Sequence, residues 1–424
     1  MLDIKRIRTE TDRVREAIAL KKTNADLDRA LLLDEERREL LVEAERLKHV
    51  RNDVSEEIGR MKRAGKDAAD KVLAMKRTGD EIKTLDARIA DLESDLAKIL
   101  AWIPNVPHSS VPKAEDASGN VIVREAGPIR AFTFKPKLHW ELAESLGLLD
   151  FERAGKIAGA GFLLYTGRGA RLERALIQLM IDSAVRRGYT EVWAPHLVRS
   201  DCLFGTGQLP KLEEDMYRIQ GEDLFLNPTA EVPITNIYRD EILDGDRLPI
   251  RHVGYCASYR KEAGSYGRET RGMIRVHQFD KVELVRFARP ETSYDEHEAL
   301  LQDAEAVLDQ LELPHRVALL AAGDLSFAGA KCYDLETWAP GEGRWLEVSS
   351  CTNFEDFQAR RAGIRYRPAP GAKAEYVHTL NASGLALPRT YATLLEYHQT
   401  ESGSVRLPDA LLPYWDGDRE IAPA

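Results

Sequence analysis

From residue 33 onward, apolar side chains recur every seven positions, as Leu33, Leu40, Leu47, Val54 and Met61, with Ala44 and Ile58 between them. A second run, Ile82, Leu85, Ile89, Leu92, Leu96 and Ile99, advances by alternating steps of three and four. Such spacing lays one narrow apolar seam along a helix, as in a two-stranded coiled coil. The two runs flank Gly65, which predicts a long antiparallel helical hairpin, with Arg37 and Arg51 as defects in its seam. Arms of roughly 35 residues at about 1.5 Å per residue reach about 50 Å. With so few apolar residues per turn, such an arm is expected to project into solvent. Residues 2–22, with Leu2, Ile4, Ile7, Val14 and Ile18, read as a shorter amphipathic helix at its base.

Past residue 101 the pattern changes. Pro104, Pro107 and Pro112 make 102–112 a non-helical linker between an arm at 1–101 and a body at 113–424. In the body, helical patterns at 171–187, 291–312 and 390–400 are interspersed with extended patterns at 250–254, 273–287 and 344–350. Mixed order with hairpin-like pairs indicates an α+β domain built on an antiparallel sheet.

Composition sharpens this division. Of 424 residues, all 31 aromatics and all 19 prolines lie beyond residue 101, while residues 1–100 carry 23 basic and 23 acidic side chains. The net charge of -10 therefore belongs to the body. No apolar run approaches the roughly 18–20 residues of a membrane helix, and the charge-dense first 25 residues argue against a secretory signal. Four cysteines without a CxxC pair point away from a disulfide framework and toward a reducing cytoplasm. Overall acidity argues mildly against a nucleic-acid partner, but net charge averages away local patches. One such patch lies at the hairpin turn, where Arg60, Lys62, Arg63, Lys66, Lys71, Lys76 and Arg77 face only Asp67 and Asp70. A basic tip suits contact with a phosphate backbone. Without aromatics it suits duplex or backbone shape better than base stacking.

Common nucleotide and metal signatures are missing: there is no GxxxxGK[ST], no GxGxxG between a strand and a helix, and no HExxH. No two of the ten histidines stand three or four apart, so residues such as His277 and His378 read as structural. Three stretches are harder to explain by packing. The first is Arg187-Gly188-Tyr189 with Val192 and Pro195. The second is Tyr259-Arg260-Lys261-Glu262, a 12-residue polar loop, then Arg275-Val276-His277-Gln278-Phe279 and Glu283. The third is Gly384-Leu385-Ala386-Leu387-Pro388-Arg389 leading into a helix.

These stretches resemble motifs 1, 2 and 3 of class II aminoacyl-tRNA synthetases. Four further segments resemble the seryl-tRNA synthetase family specifically: PTAEVP at 228–233, the run at 262–285, EVSSCTN at 347–353 and DFQARR at 356–361. The opening MLDIKRIR and the proline-rich linker do so too, and the likeness covers essentially the whole chain in the family's order. It implies an N-terminal tRNA-binding coiled-coil arm, then a catalytic domain with a six- or seven-stranded antiparallel sheet flanked by helices. Dimerisation would use the motif 1 helix and strand.

The reaction implied is ATP-dependent activation of L-serine and transfer of serine to tRNA(Ser), with selenocysteine tRNA a further acceptor to consider. In the family's pattern, Arg260 would bind the α-phosphate and the serine carboxylate, and Arg389 the adenine and γ-phosphate from the far side. Lys261, Glu262, Arg275, Val276 and Phe279 would complete the adenine and phosphate site, together with Glu347, Val348, Ser349 and Ser350. Glu347 and Ser350 would hold Mg²⁺, a hard cation suited to oxygen ligands. Thr229, Ala230 and Glu231 would meet the serine ammonium, and Glu283 with Ser383 its hydroxyl. Thr229 also reads as the N-cap of a helix beginning in TAEV. The sequence departs from the family at Lys261, Ala382 and Pro388, none of which removes a charged catalytic group. Two other classes fit parts of the pattern: a non-catalytic RNA-binding relative, and a ligase charging a carrier protein. The intact charged set weighs against the first and the basic tip against the second.

Overall fold

The structure is a computed structural model describing residues 1–262, 272–415 and 419–423, so positions 263–271 of the motif 2 loop lie outside the described residues. The chain forms two compact units, Met1–Pro104 and Asn105–Ala424.

In the first unit, helices Ile4–Thr9 and Thr11–Leu20 precede two long helices, Leu27–Arg63 and Ala69–Leu100. The expected helix over 2–22 is thus two helices, interrupted at Glu10, whose φ of -122° and ψ of 34° are non-helical. Thr9 and Thr11 flank the break, and their hydroxyls bond back to carbonyls three and four residues earlier, in competition with the helical backbone. Asp26 caps the first long helix by accepting the Arg29 N–H at 3.0 Å. The reversal at 64–68 uses Gly65 at φ +68°, a left-handed conformation that glycine adopts without a Cβ penalty.

Leu33, Ala44, Leu47 and Ile58 are buried on one long helix, and Ile82, Ile89, Leu92 and Leu96 on the other. The balanced charge of this unit pairs across the hairpin: Arg37 with Glu93 (3.3 Å), Lys48 with Asp86 (2.8 Å) and Arg88 with Glu36 (2.7 Å). Arg37, a defect in the apolar seam, also meets the fully buried Asp34 at 3.0 Å, alongside Arg8 (3.4 Å) and Arg38 (3.1 Å).

The second unit is built on an eight-stranded sheet. In spatial order its strands are Val121–Ala126, His315–Leu319, Lys331–Ala339, Arg344–Asn353, His378–Ala386, Gln278–Ala288, Ile250–Tyr259 and Thr190–Glu191. Every neighbouring pair is antiparallel except the last, which is parallel. Eight strands exceed the six or seven expected because both edges are occupied, by a two-residue strand and by VIVREA just after the linker. Neither edge strand shows an apolar alternation to announce it.

Alternation does explain the centre of the sheet. Val282 and Leu284 point to one face and join a core built with helices Gly167–Arg186, Ser293–Gln310 and Leu387–Tyr397. Phe279, Lys281 and Glu283 point to the other face. Gly169 lets the first of these helices approach closely, since a Cβ there would sit 2.0 Å from the Leu148 carbonyl oxygen. The extended stretch expected from 273 becomes strand only at Gln278. Before that point the backbone bonds elsewhere, with Met273 N–H to His139 Nε2 at 3.2 Å and His277 N–H to the Gly161 carbonyl at 2.8 Å.

Candidate active site

On the sheet face opposite the core that holds Val282 and Leu284, a cavity of about 280 Å³ opens beside the strands Gln278–Ala288, Arg344–Asn353 and His378–Ala386 and the start of helix Leu387–Tyr397. Among the described residues, Arg260, Arg275, Arg389 and Lys281 line it with only Glu262 and Glu347 as carboxylates, so these walls carry an excess of positive charge. Such a lining selects an anion, and planar guanidinium groups suit phosphate oxygens.

Backbone and ring contacts fix each arginine. Arg260 directly follows the strand Ile250–Tyr259. Its N–H bonds to the His277 carbonyl at 2.9 Å, and its Nε donates to the Pro228 carbonyl at 3.2 Å. Its guanidinium lies 5.3 Å from the Phe279 ring centroid and has no carboxylate partner among the described residues. Arg275 donates to Glu262 at 2.7 Å. Arg389 donates to the backbone carbonyls of Glu347 (3.0 Å) and Ile274 (3.3 Å) and pairs with the Glu347 carboxylate at 3.1 Å. Motif 3 thereby reaches over the returning arm of motif 2 to the strand carrying Glu347.

Glu347 and Ser350 stand together, with Ser350 Oγ 3.3 Å from Glu347 Oε1. The Ser350 hydroxyl donates to Asp334 at 2.6 Å, which leaves its oxygen lone pairs free. Asp334 faces Ser350 directly across the strand pair. Burial, and then the Glu347 charge, push the Asp334 carboxyl well above the usual range. These oxygen donors fit a hard divalent cation.

Next to the cavity lies a cluster of buried polar side chains, Thr229, Glu231, Lys281 and Glu283. The Thr229 hydroxyl donates to Glu283 Oε2 (3.1 Å) and accepts from Lys281 Nζ (3.1 Å) and the Glu231 N–H (3.3 Å). Lys281 pairs with Glu283 Oε2. Glu283 Oε1 is buried with no hydrogen-bond partner among the described residues. Glu231 accepts from Gln358 Nε2 at 2.6 Å. Burial first, and then the Glu283 charge, raise its pKa to about 7. The helix Glu231–Thr235 has Ala230 at the N-cap position, one residue later than expected, while the Thr229 hydroxyl oxygen still accepts the Glu231 N–H at the helix start.

The structure therefore brings Arg260, Glu262, Arg275, Val276, Phe279, Glu347, Ser350, Ser383 and Arg389 to one cavity, with Thr229, Glu231 and Glu283 next to it. Other expected side chains point elsewhere. Ala230 packs in a core with Val285 and Phe287. Val348 joins the core that holds Val282 and Leu284, and Ser349 donates to the Ser383 carbonyl at 2.6 Å. Lys261 lies over the Tyr217 ring at 5.8 Å. Lys281, Asp334 and Gln358 carry no expectation from sequence. Lys281 was detectable, since it alternates with Phe279 and Glu283 on one strand.

The basic residues of the hairpin all lie in the first unit. Arg60 and Lys71 pair with Glu56 and Glu57, and Arg63 donates to the Gly59 carbonyl. Lys62, Lys66 and Lys76 border a groove floored by Val72 and Leu73, the latter 53% exposed.

Two family models match the chain: Seryl-tRNA synthetase N-terminal domain at 1–107, and tRNA synthetase class II core domain (G, H, P, S and T) at 213–398. The chain is 57% identical over 418 residues to the serine–tRNA ligase of Heliobacterium modesticaldum, covering 99% of each chain. It is 55% identical over 420 residues to that of Carboxydothermus hydrogenoformans, again covering 99% of each. Among solved structures, the seryl-tRNA synthetase from Pyrococcus horikoshii complexed with ATP matches with a TM-score of 0.94 and 37% identity over 100% of both chains.

A carboxyl whose folded pKa is raised from 4.5 to about 7 favours folding below the lower value, and that contribution is lost as pH rises through the upper one. Glu231→Gln removes this loss. At pH 8 the variant should be more stable than the wild type by roughly 2–3 kcal/mol, and at pH 5 by about 1 kcal/mol or less, read from thermal unfolding. An equal difference at both pH values would contradict the raised pKa of the buried Glu231.

Proposed function

The chain belongs to the seryl-tRNA synthetase family, and from that membership we propose how its residues divide the work of the reaction. It is a class II, ATP-dependent serine–tRNA ligase that activates L-serine and charges tRNA with it. In the first step a serine carboxylate oxygen attacks the α-phosphorus in line and pyrophosphate leaves. In the second step a 3′-terminal ribose hydroxyl of tRNA attacks the seryl carbonyl and AMP leaves. Both steps depend on placement and charge neutralisation more than on a side-chain base.

One observation carries the division of roles: a cation-rich cavity, whose Arg260 has no carboxylate partner among the described residues, adjoins a buried cluster in which Glu283 Oε1 has no hydrogen-bond partner among those residues. Arg260 takes the α-phosphate and serine carboxylate together, neutralising charge that grows at the phosphorus. Phe279 and the backbone at Val276 hold the adenine ring. Glu262 accepts from the adenine amino group through one oxygen while Arg275 keeps the other. Arg389, braced by Ile274 and Glu347, meets the γ-phosphate and the far face of the base. Lys261, Val348 and Ser349 contribute through their backbone at the edge of this site.

In the pocket, Glu231 and Thr229 receive the serine ammonium beside Ala230. Glu283 Oε1 accepts the serine hydroxyl, with Ser383 opposite it on the neighbouring strand. A substrate without that hydroxyl leaves the buried oxygen unpaired, so alanine is rejected by chemistry and threonine by size.

Glu347 and Ser350, with Asp334 orienting the Ser350 hydroxyl, present the donors that Mg²⁺ prefers, and we assign them as its ligands. When bound, the ion neutralises phosphate charge. The basic residues of the hairpin grip the tRNA(Ser) backbone. The motif 1 helix Gly167–Arg186 and strand Thr190–Glu191 form a homodimer contact, supported by exposed Val185, Trp193 and Leu197 beside them, with Trp193 74% exposed. No helix among the described residues is long and apolar enough to cross a membrane, in keeping with work in the cytoplasm on tRNA.

Arg260→Ala should lower serine-dependent exchange between pyrophosphate and ATP by roughly 100-fold or more. A rate within threefold of wild type would remove Arg260 from the phosphate clamp. Replacing Lys62, Arg63, Lys66 and Lys76 together by Glu should raise KM for tRNA roughly 100-fold while leaving that exchange unchanged. Unaltered charging by this variant would refute the role of the hairpin.

A further inference from the structure

His139 lies outside every motif discussed so far, at the start of the helix His139–Ser145, and it is fully buried. Its backbone N–H and its Nδ1 both meet Glu396 Oε1, each at 2.9 Å. Its Nε2 accepts the Met273 N–H at 3.2 Å. An amide can only donate, so Nε2 carries no proton, and the ring's single proton sits on Nδ1, donated to Glu396. Glu396 Oε2 accepts the N–H groups of Gly341 (2.8 Å) and Glu342 (3.1 Å).

His139, Glu342 and Glu396 lie close enough together to suggest a metal centre. The bonding argues otherwise. Both ring nitrogens and both Glu396 oxygens already have partners, and a cation at Nε2 would have to displace a buried amide. This cluster is a hydrogen-bond node.

Three parts of the ATP site converge on it. Met273 begins the stretch 273–276 that lines the cavity before the sheet ladder takes over at Gln278. Glu396 follows Arg389 by seven residues, two turns along one face of the same helix. The turn at Gly341–Glu342 leads into the strand carrying Glu347 and Ser350. The chain passes so close to the ring that a Cβ at Gly272 would sit 2.3 Å from His139 Nε2. The serine pocket has separate supports, in Gln358, Lys281 and the sheet ladder at Glu283.

We propose that His139, oriented by Glu396, is a positioning residue for the ATP site, setting the height of the 273–276 wall against which the nucleotide binds. This rests on the ATP placement proposed above. His139→Asn keeps a donor near Nδ1 and removes the Nε2 acceptor, whereas His139→Gln carries an amide oxygen to the Nε2 position. In pyrophosphate exchange, the Asn variant should show a KM for ATP about tenfold higher with KM for serine within about twofold of wild type, and the Gln variant should recover most of the loss. A parallel rise in both KM values, no rise at all, or a Gln variant as impaired as the Asn variant overturns the proposal. In the unliganded wild type, the Met273 amide should exchange with deuterium at least about 100-fold more slowly than a free amide. Fast exchange there overturns the node whatever the nucleotide does, whereas misplacement of ATP would surface in Arg260→Ala and leave Met273 protected.

Discussion

Two carboxylates, Glu231 and Glu283, share one ammonium, that of Lys281, in a buried cluster. Buried ions persist only when paired and hydrogen-bonded, and here the pairing is one cation short. The surroundings manage this deficit without removing it. Thr229 and Gln358 each give a hydrogen bond, Glu231 holds its proton up to about pH 7, and one oxygen of Glu283 goes without a partner among the described residues. In the proposed placement, serine carries what is missing: an ammonium to discharge the deficit and a hydroxyl proton for the orphaned oxygen. Binding and recognition are therefore one electrostatic event.

Much of the second unit can be understood as holding that deficit in place. The strand Gln278–Ala288 sets Phe279, Lys281 and Glu283 on one face while its alternate residues anchor it in the core, so slippage by one residue would bury the wrong set. The helix Phe357–Ala362 carries Gln358 to Glu231. The same helix is fixed by Arg361, whose guanidinium donates to the Phe204 and Leu209 carbonyls at 3.1 and 3.0 Å. On the ATP side the imbalance has the opposite sign, with more cations than carboxylates. In the proposed placement a zwitterionic amino acid and a polyphosphate each meet the charge they lack, with Arg260 at the junction.

Local pattern revealed the hairpin well, because a 3-4 repeat and a near absence of glycine and proline act within a few residues. The family resemblance likewise singled out Arg260, Glu262, Glu347 and Arg389, which the structure gathers at one cavity, and Glu283 beside it. What escaped depends on contacts distant in sequence. Asp334 matters because it faces Ser350 across a strand pair, and Gln358 because its helix packs near residue 231. Nothing near residue 139 announces that its ring will meet Met273 and Glu396, more than a hundred residues away on either count. The edge strands were missed for a different reason, since an edge need not alternate. The break at Glu10 followed from two threonine hydroxyls that compete with the helix, an effect too small to disturb apolar spacing.

The charge deficit can be tested directly by titrating serine into the enzyme calorimetrically, in buffers of different ionisation enthalpy, at pH 7 and again at pH 8.5. With Glu231 titrating near 7, binding of the ammonium should expel about half a proton per site at pH 7 and almost none at pH 8.5. Binding without proton release at pH 7, or with proton uptake, would contradict the shared-cation pocket.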